Sequence, residues 1–275
     1  MYTPFSIRFI GCLLVAGICF STPCQAMNGR DTTIRVNATL VRIQWPPGEM
    51  RGAILMLPGW NFSRTKTCEN SSFCSKALEK GFVLISPEMG KSLYASRTYP
   101  NTRTDWAGYP QLKFITDTLQ PLLQKQFGLL KPGRINFIYG ISTGSRGGAL
   151  ILEHTGNLYK GAALLSGDYN QVADTADNLM KGFYGSCLRF PDRWKGEDNP
   201  AVNSAKIKAQ VFLGHGTADA VVPFAQSKYF YECLKKAGVD VTFDAKEKQG
   251  HRFEFWDAET DAILALFVTW SKPEQ

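Results

Sequence analysis

Along the chain, short continuous apolar runs alternate with longer stretches in which apolar residues recur every three or four positions. Ala53–Leu57 ("AILML") is the first such run, and Phe82–Ser86, Ile135–Tyr139, Ala162–Ser166 and Val211–Gly214 repeat it. A run without polar interruption marks a strand buried on both faces, whereas a period near 3.6 marks an amphipathic helix. Helices are therefore predicted over Ser72–Lys80, Gln111–Phe127 with a kink at Pro121, Gly144–His154, Pro223–Ala237 and Trp256–Trp270. Thr33–Trp45 alternates as one strand, "PPGEMRG" turns the chain, and Val239–Phe243 is a last strand. Buried strands alternating with helices imply a mostly parallel central sheet with helices on both faces. In such sheets ligands bind at the carboxyl ends of the strands.

The first residues follow a different pattern. Arg8, the apolar run Phe9–Phe20 and the small residues around Cys24-Gln25-Ala26 form the three parts of an export signal. Twelve apolar residues are too few to span a bilayer core of roughly 30 Å, which takes ~20. The expected organisation is a signal peptide at 1–26 and one domain at 27–275, in a secreted or periplasmic protein without stable membrane insertion after cleavage. About 249 residues are enough for one α/β domain with a sizeable core.

Removal of the signal leaves Cys68, Cys74, Cys187 and Cys233. An even count in an exported protein predicts two disulfides, with Cys68–Cys74 the local choice and Cys187–Cys233 the remainder. The formal charge of +7 comes from 31 basic and 24 acidic residues without a basic run, so a mildly basic solvated surface is expected and no nucleic-acid partner. No metal-ligand cluster or cofactor motif is visible. The sequence does not determine the oligomeric state.

Candidate chemistry begins at "RINFIYGISTGSRGGALILE", residues 134–153. Gly140-Ile141-Ser142-Thr143-Gly144 fits G-x-S-x-G, closing a buried strand and opening a helix, the setting of a nucleophile elbow. So sharp a turn needs residues without bulk two places before and after the serine, and Gly140 and Gly144 provide them. Ser145 lacks the earlier glycine, so Ser142 is the expected nucleophile. A serine hydroxyl needs a base and a group to orient that base. His154 falls ~16 Å along the helix from Ser142 and is too distant. His215 in "FLGHGTAD" and His251 in "KQGHRFEFW" both follow strands.

Residues 50–270 resemble the α/β-hydrolase superfamily, in its esterase and prolyl-oligopeptidase-like branch. The resemblance implies the chain order serine, acid, histidine, which Ser142, Asp219 and His251 follow, and gives His215 a structural role. It implies an oxyanion hole formed by the N–H groups of Trp60, in "AILMLPGW", and Thr143. Pro58-Gly59-Trp60 departs from the family's usual His-Gly start, which leaves the first donor open. Asp168 in "LLSGDYN" is a competing acid. No metal or cofactor is implied.

Residues 87–110 and 167–207 are the expected specificity loops, the latter a small lid-like insertion. Lys91, Arg97 and Arg103 are candidates for a substrate carboxylate or phosphate. The implied activity is hydrolysis of carboxylic esters through an acyl-enzyme, with peptidase or amidase action, acyl transfer and non-catalytic binding as the other readings. One domain leaves no gate of the kind family exopeptidases use, and the basic charge balance does not favour a cationic N-terminus. Esters of small molecules are thus expected ahead of peptides.

Overall fold

The structure, a computed structural model, describes residues 31–272. The signal peptide expected at 1–26 lies outside the described residues. Eight strands form one sheet: β1 (Asp31–Val36), β2 (Thr39–Gln44), β3 (Gly52–Leu57), β4 (Phe82–Pro87), β5 (Asn136–Ile141), β6 (Gly161–Leu165), β7 (Gln210–Gly216) and β8 (Val241–Lys246). Their order is β1-β2-β4-β3-β5-β6-β7-β8. The β1–β2 and β2–β4 pairs are antiparallel and every other pair is parallel. β3 to β6 are buried along their whole length, as their uninterrupted apolar runs require.

The segment expected as one strand at 33–45 is instead a hairpin. Asn37 turns the chain at φ 53°, a left-handed conformation that asparagine tolerates. Apolar residues sit at even positions before the turn (Ile34, Val36) and at odd positions after it (Val41, Ile43), so the inward face changes phase across Asn37-Ala38.

The helices are α1 (Lys66–Asn70), α2 (Phe73–Glu79), α3 (Thr104–Ala107), α4 (Gln120–Gln126), α5 (Thr143–Thr155), α6 (Asn178–Tyr184), α7 (Pro191–Lys195), α8 (Pro200–Asn203), α9 (Ala225–Lys236), α10 (Phe253–Ala258) and α11 (Thr260–Trp270). Two differ from expectation. The stretch 111–127 has a π-helical turn at Phe114–Leu119, and Pro121 then sits in the first turn of α4, where its missing N–H is not needed. The helix expected at 256–270 starts earlier and is broken at Glu259, whose carboxylate turns towards Lys246 Nζ at 3.6 Å.

Two apolar clusters are built from the two faces of the sheet: Leu55, Ile85, Ile138, Leu150 and Leu213 belong to one, Ile54, Phe137, Leu165, Trp256 and Phe267 to the other. A third unites the two expected specificity segments, packing Leu93, Ala95 and Trp106 against Met180, Phe183, Tyr184 and Trp194. Cys68 and Cys74 are bonded and staple α1 to α2. Cys187 and Cys233 are both free, which corrects the expected second disulfide. Cys187 packs on the third cluster and Cys233 on the first, so the fold directs them to different cores.

Candidate active site

Five neighbouring strands, β3, β5, β6, β7 and β8, end along one edge of the sheet, and the candidate residues follow those ends. Ser142 follows β5 at φ 56° and ψ −123°. That strained conformation is held by close packing on both sides. A Cβ at Gly140 would lie 2.5 Å from Gly144 O, and one at Gly144 would collide with Leu57 O, so no side chain fits at either place. Ser142 N–H donates to Leu165 O at 2.8 Å. Ser145 is fully buried and points away, its hydroxyl donating to Gly140 O at 2.7 Å and Leu165 O at 2.6 Å.

His251 lies in the loop after β8 and Asp219 in the loop after β7. The Ser142 hydroxyl is 3.0 Å from His251 Nε2 as donor, and His251 Nδ1 is 2.7 Å from Asp219 Oδ2. Trp256 packs edge-on against the imidazole, centroids 5.1 Å apart, and is itself held by its Nε1–H to Ser166 Oγ at 3.0 Å. Asp219 has further partners. Its Oδ1 accepts the main-chain N–H groups of Val221 and Val222 at 2.8 and 2.9 Å, and its Oδ2 lies 3.3 Å from His215 Nε2. Burial pushes the Asp219 pKa up, but hydrogen bonds from His215, His251 and the Val222 N–H outweigh it and hold the carboxyl well below the ordinary range. His215 is fully buried, with Nδ1 against Ser227 Oγ at 2.7 Å. His154 bonds Leu150 O within α5, remote from this group.

The turn after β3 passes over Ser142: a Cβ on Gly59 would sit 3.2 Å from the serine Cβ. Tyr94 Oη donates to Pro58 O at 2.8 Å, and the N–H groups of Asn61 and Phe62 are bonded to Gly90 O and Gly59 O. Trp60 is braced edge-on by Trp106 at 4.8 Å. Trp60 and Thr143 both line a cavity of about 240 Å³ that reaches Ser142. Larger hollows lie at the opposite, amino-terminal edge of the strands, around Pro47, Arg51 and Gly81, away from Ser142, Asp219 and His251.

Asp168 follows β6 and lines the same cavity, facing Arg146 and not His251. Burial raises its pKa, and the Arg146 charge opposes this without cancelling it. Lys91 and Arg103 are paired with Asp105 at 3.1 and 3.0 Å, and Arg97 with Glu197 at 3.0 Å. The three cations are thus bound to the protein's own carboxylates. The insertion 167–207 is fastened as a wall. Arg146, fully buried in α5, donates to Asp168 O, Gln171 Oε1, Tyr184 Oη and Asp198 O.

Sequence reasoning missed Arg146, and also Asp174 and Asp177 on the cavity wall. The aspartates were visible as D-x-x-D within ten residues of Asp168; nothing local marked Arg146. Among the described residues no group of side chains is arranged to hold a metal ion, and no helix is long and apolar enough to cross a membrane.

Comparison with known proteins places these features in context. Residues 75–273 match the prolyl oligopeptidase family. A poly(3-hydroxyoctanoate) depolymerase of Pseudomonas fluorescens is 23% identical over 190 residues, 69% of this chain and 60% of that one. The chain therefore spans less than two thirds of that relative's length. FphF, a fluorophosphonate-binding serine hydrolase of Staphylococcus aureus, superposes with a TM-score of 0.68 at 16% identity, covering 89% of this chain and 98% of its own. The acylaminoacyl peptidase of Pyrococcus horikoshii gives 0.69 at 16% identity, covering 90% of this chain but 42% of that one. The sheet is that of an α/β-hydrolase.

Proposed function

The chain belongs to the prolyl oligopeptidase family of serine hydrolases, and from that premise we propose that it cleaves carboxylic esters of short acyl groups through Ser142, His251 and Asp219. The observation that carries the reading is the continuous hydrogen-bonded chain from Asp219 through His251 to Ser142, at 2.7 and 3.0 Å. In the first step Ser142 Oγ bonds to the ester carbonyl carbon while its proton passes to His251 Nε2. Asp219, kept ionised by its hydrogen bonds, fixes the tautomer with Nδ1–H towards itself and stabilises the imidazolium. The oxyanion is held by the N–H groups of Thr143 and Trp60, neither of which has a hydrogen-bond partner among the described residues. Removing one such donor typically costs ~10² to 10³ in turnover. Collapse of the tetrahedral species expels the alcohol with the proton from His251, and water then repeats the sequence to release the acid.

A cavity of about 240 Å³ is below the ~300–1,000 Å³ usual for drug-sized ligands, which favours a short acyl chain. Preference for esters follows from leaving-group chemistry. An alkoxide departs readily, whereas an amine must be protonated in place with the peptide held in register. Export fits the leader-like segment at 1–26 and the Cys68–Cys74 bond, so the mature enzyme is read as 27–275 in a secreted or periplasmic setting. Amide hydrolysis is the second reading, favoured by the family's name.

The test is a screen of the purified protein against p-nitrophenyl esters of graded length beside aminoacyl p-nitroanilides. We expect kcat/KM for a short ester to exceed that for the matching anilide by about 10³, on the order of 4 kcal/mol. Ser142→Ala is expected to abolish both turnover and labelling by a fluorophosphonate. Comparable ester and anilide values would put the peptidase reading first, and labelling that survives Ser142→Ala would remove Ser142 from its role.

A further inference from the structure

His251 is held at both of its ring nitrogens, Nδ1 against Asp219 Oδ2 at 2.7 Å and Nε2 against Ser142 Oγ at 3.0 Å. Two points leave a flat ring able to turn about the line that joins them. The second point is also lost during turnover: once Ser142 Oγ is bonded to the carbonyl carbon, Nε2 has to present its proton to the departing oxygen, and Asp219 alone then holds the base. The main chain supplies little rigidity here. It leaves an edge strand, β8, and a Cβ on Gly250, just before His251, would meet nothing closer than 3.6 Å. A third point of contact comes from Trp256, whose ring stands at 85° to the imidazole with centroids 5.1 Å apart.

Trp256 is itself fixed more firmly than the filling of space requires. It is 1% exposed, and Phe253 and Phe62 meet its ring at centroid distances of 4.9 and 6.4 Å. Its one polar atom, Nε1, donates to Ser166 Oγ at 3.0 Å, which sets the rotation of the indole in its own socket. Ser166 is fully buried just past β6 and holds φ 52°, a left-handed conformation that serine rarely adopts, with its N–H on Gly214 O at 2.9 Å. Glycine would take that backbone without strain but carries no oxygen for the indole. Resting on the serine-hydrolase reading above, we propose that Trp256, anchored by Ser166, is a positioning residue for His251. It keeps the imidazole aimed at the reacting centre after the Ser142 contact is lost, while the Nε2 proton passes to the departing oxygen and the carbon–oxygen bond breaks with its electron pair on that oxygen.

The experiment compares a p-nitrophenyl ester with the phenyl ester of the same acyl group. p-Nitrophenolate departs readily without a proton, whereas phenolate, the more basic leaving group, gains more from the proton on His251. In Trp256→Leu, kcat/KM on the phenyl ester should fall at least about tenfold further than on the p-nitrophenyl ester. Ser166→Ala and Trp256→Phe, which keep an aromatic ring beside His251 but lose the anchor, should shift the same ratio by severalfold. The ratio is insensitive to the fraction of folded protein, so a merely structural loss does not move it. If Trp256→Leu fails to fold, the two milder variants decide the matter by the same ratio. An unchanged ratio in variants that a fluorophosphonate labels fully overturns the proposal and leaves the hydrolase reading standing. Native protein that is neither labelled nor active on either ester overturns the hydrolase reading and this proposal with it.

Discussion

Asp168 and Asp219 follow neighbouring parallel strands, β6 and β7, and both are drawn into the protein, yet their surroundings differ in kind. Around Asp219 two main-chain N–H groups converge on Oδ1 and His251 on Oδ2, with His215 Nε2, which bonds Val222 O at 3.0 Å, also within 3.3 Å of Oδ2. Around Asp168 an oxygen is buried with no donor at all, and Arg146, the nearby cation, directs its N–H groups elsewhere. Burial raises the pKa of both carboxyls; only at Asp219 do hydrogen bonds reverse the sign. The difference teaches that depth alone does not assign a role to an acid. A carboxylate whose acceptors are filled by the protein is held as a charge, and one left short of donors is pushed towards its neutral form.

The comparison breaks most visibly in turnover. Asp219→Asn removes the acceptor that selects the His251 tautomer and should lower kcat by ~10⁴, as loss of the orienting acid does in such triads. Asp168→Asn should cost far less on a neutral ester. Steady-state kinetics on the two variants decide it, and a larger loss in Asp168→Asn would exchange the roles assigned to the two acids.

Stability against pH sharpens the contrast, because the two shifts have opposite signs. The depressed Asp219 pKa contributes stability that is present above the unfolded value of ~3.9 and is lost as pH falls from there through the folded value. Asp219→Asn should therefore destabilise by about 1–3 kcal/mol at neutral pH, with the gap closing in acid. The raised Asp168 pKa penalises the folded state at neutral pH, and the penalty fades as pH falls through the folded value towards ~3.9. Asp168→Asn should leave neutral-pH stability unchanged or raise it, with that difference also vanishing in acid. Urea unfolding at neutral pH and near pH 3 measures both. Equal losses for the two variants at neutral pH would erase the distinction.

The smallest effect is expected at Ser145, the serine between the two acids' machinery. Ser145→Ala removes the hydroxyl that lies 2.7 Å from Gly140 O and 2.6 Å from Leu165 O, the latter keeping the Ser142 N–H, and should cost about 1 kcal/mol of stability while fluorophosphonate labelling persists.

How much of this could be read beforehand depended on how local the cause was. Gly140 and Gly144 announce a tight turn because the steric demand falls on residues two places away, and the apolar runs announce buried strands for the same reason. The hairpin at Asn37 left a local trace, a change of phase, that alternation alone does not reveal when both halves look like strand. Cys187 and Cys233 show the opposite case. Their even number says nothing of distance, and they lie in separate clusters. The carboxylates Asp168, Asp174 and Asp177 on the cavity wall could not be read from the charge balance, because a net charge is summed over the whole chain and says nothing of which side chains gather in one place. Arg146 was invisible because all its partners come from residues 168–198 and meet it only in the folded chain.

Specificity loops on this kind of scaffold are commonly treated as exchangeable parts, to be swapped between relatives while the catalytic frame stays put. Arg146 denies that freedom here. Its guanidinium belongs to the helix that begins beside Ser142, but every acceptor named for it belongs to the insertion. A transplanted loop that failed to supply those oxygens would leave a bare cation in the interior, a defect that typically costs about 3–5 kcal/mol. Redesign of the pocket thus has to carry the sockets for that one side chain along with any new lining.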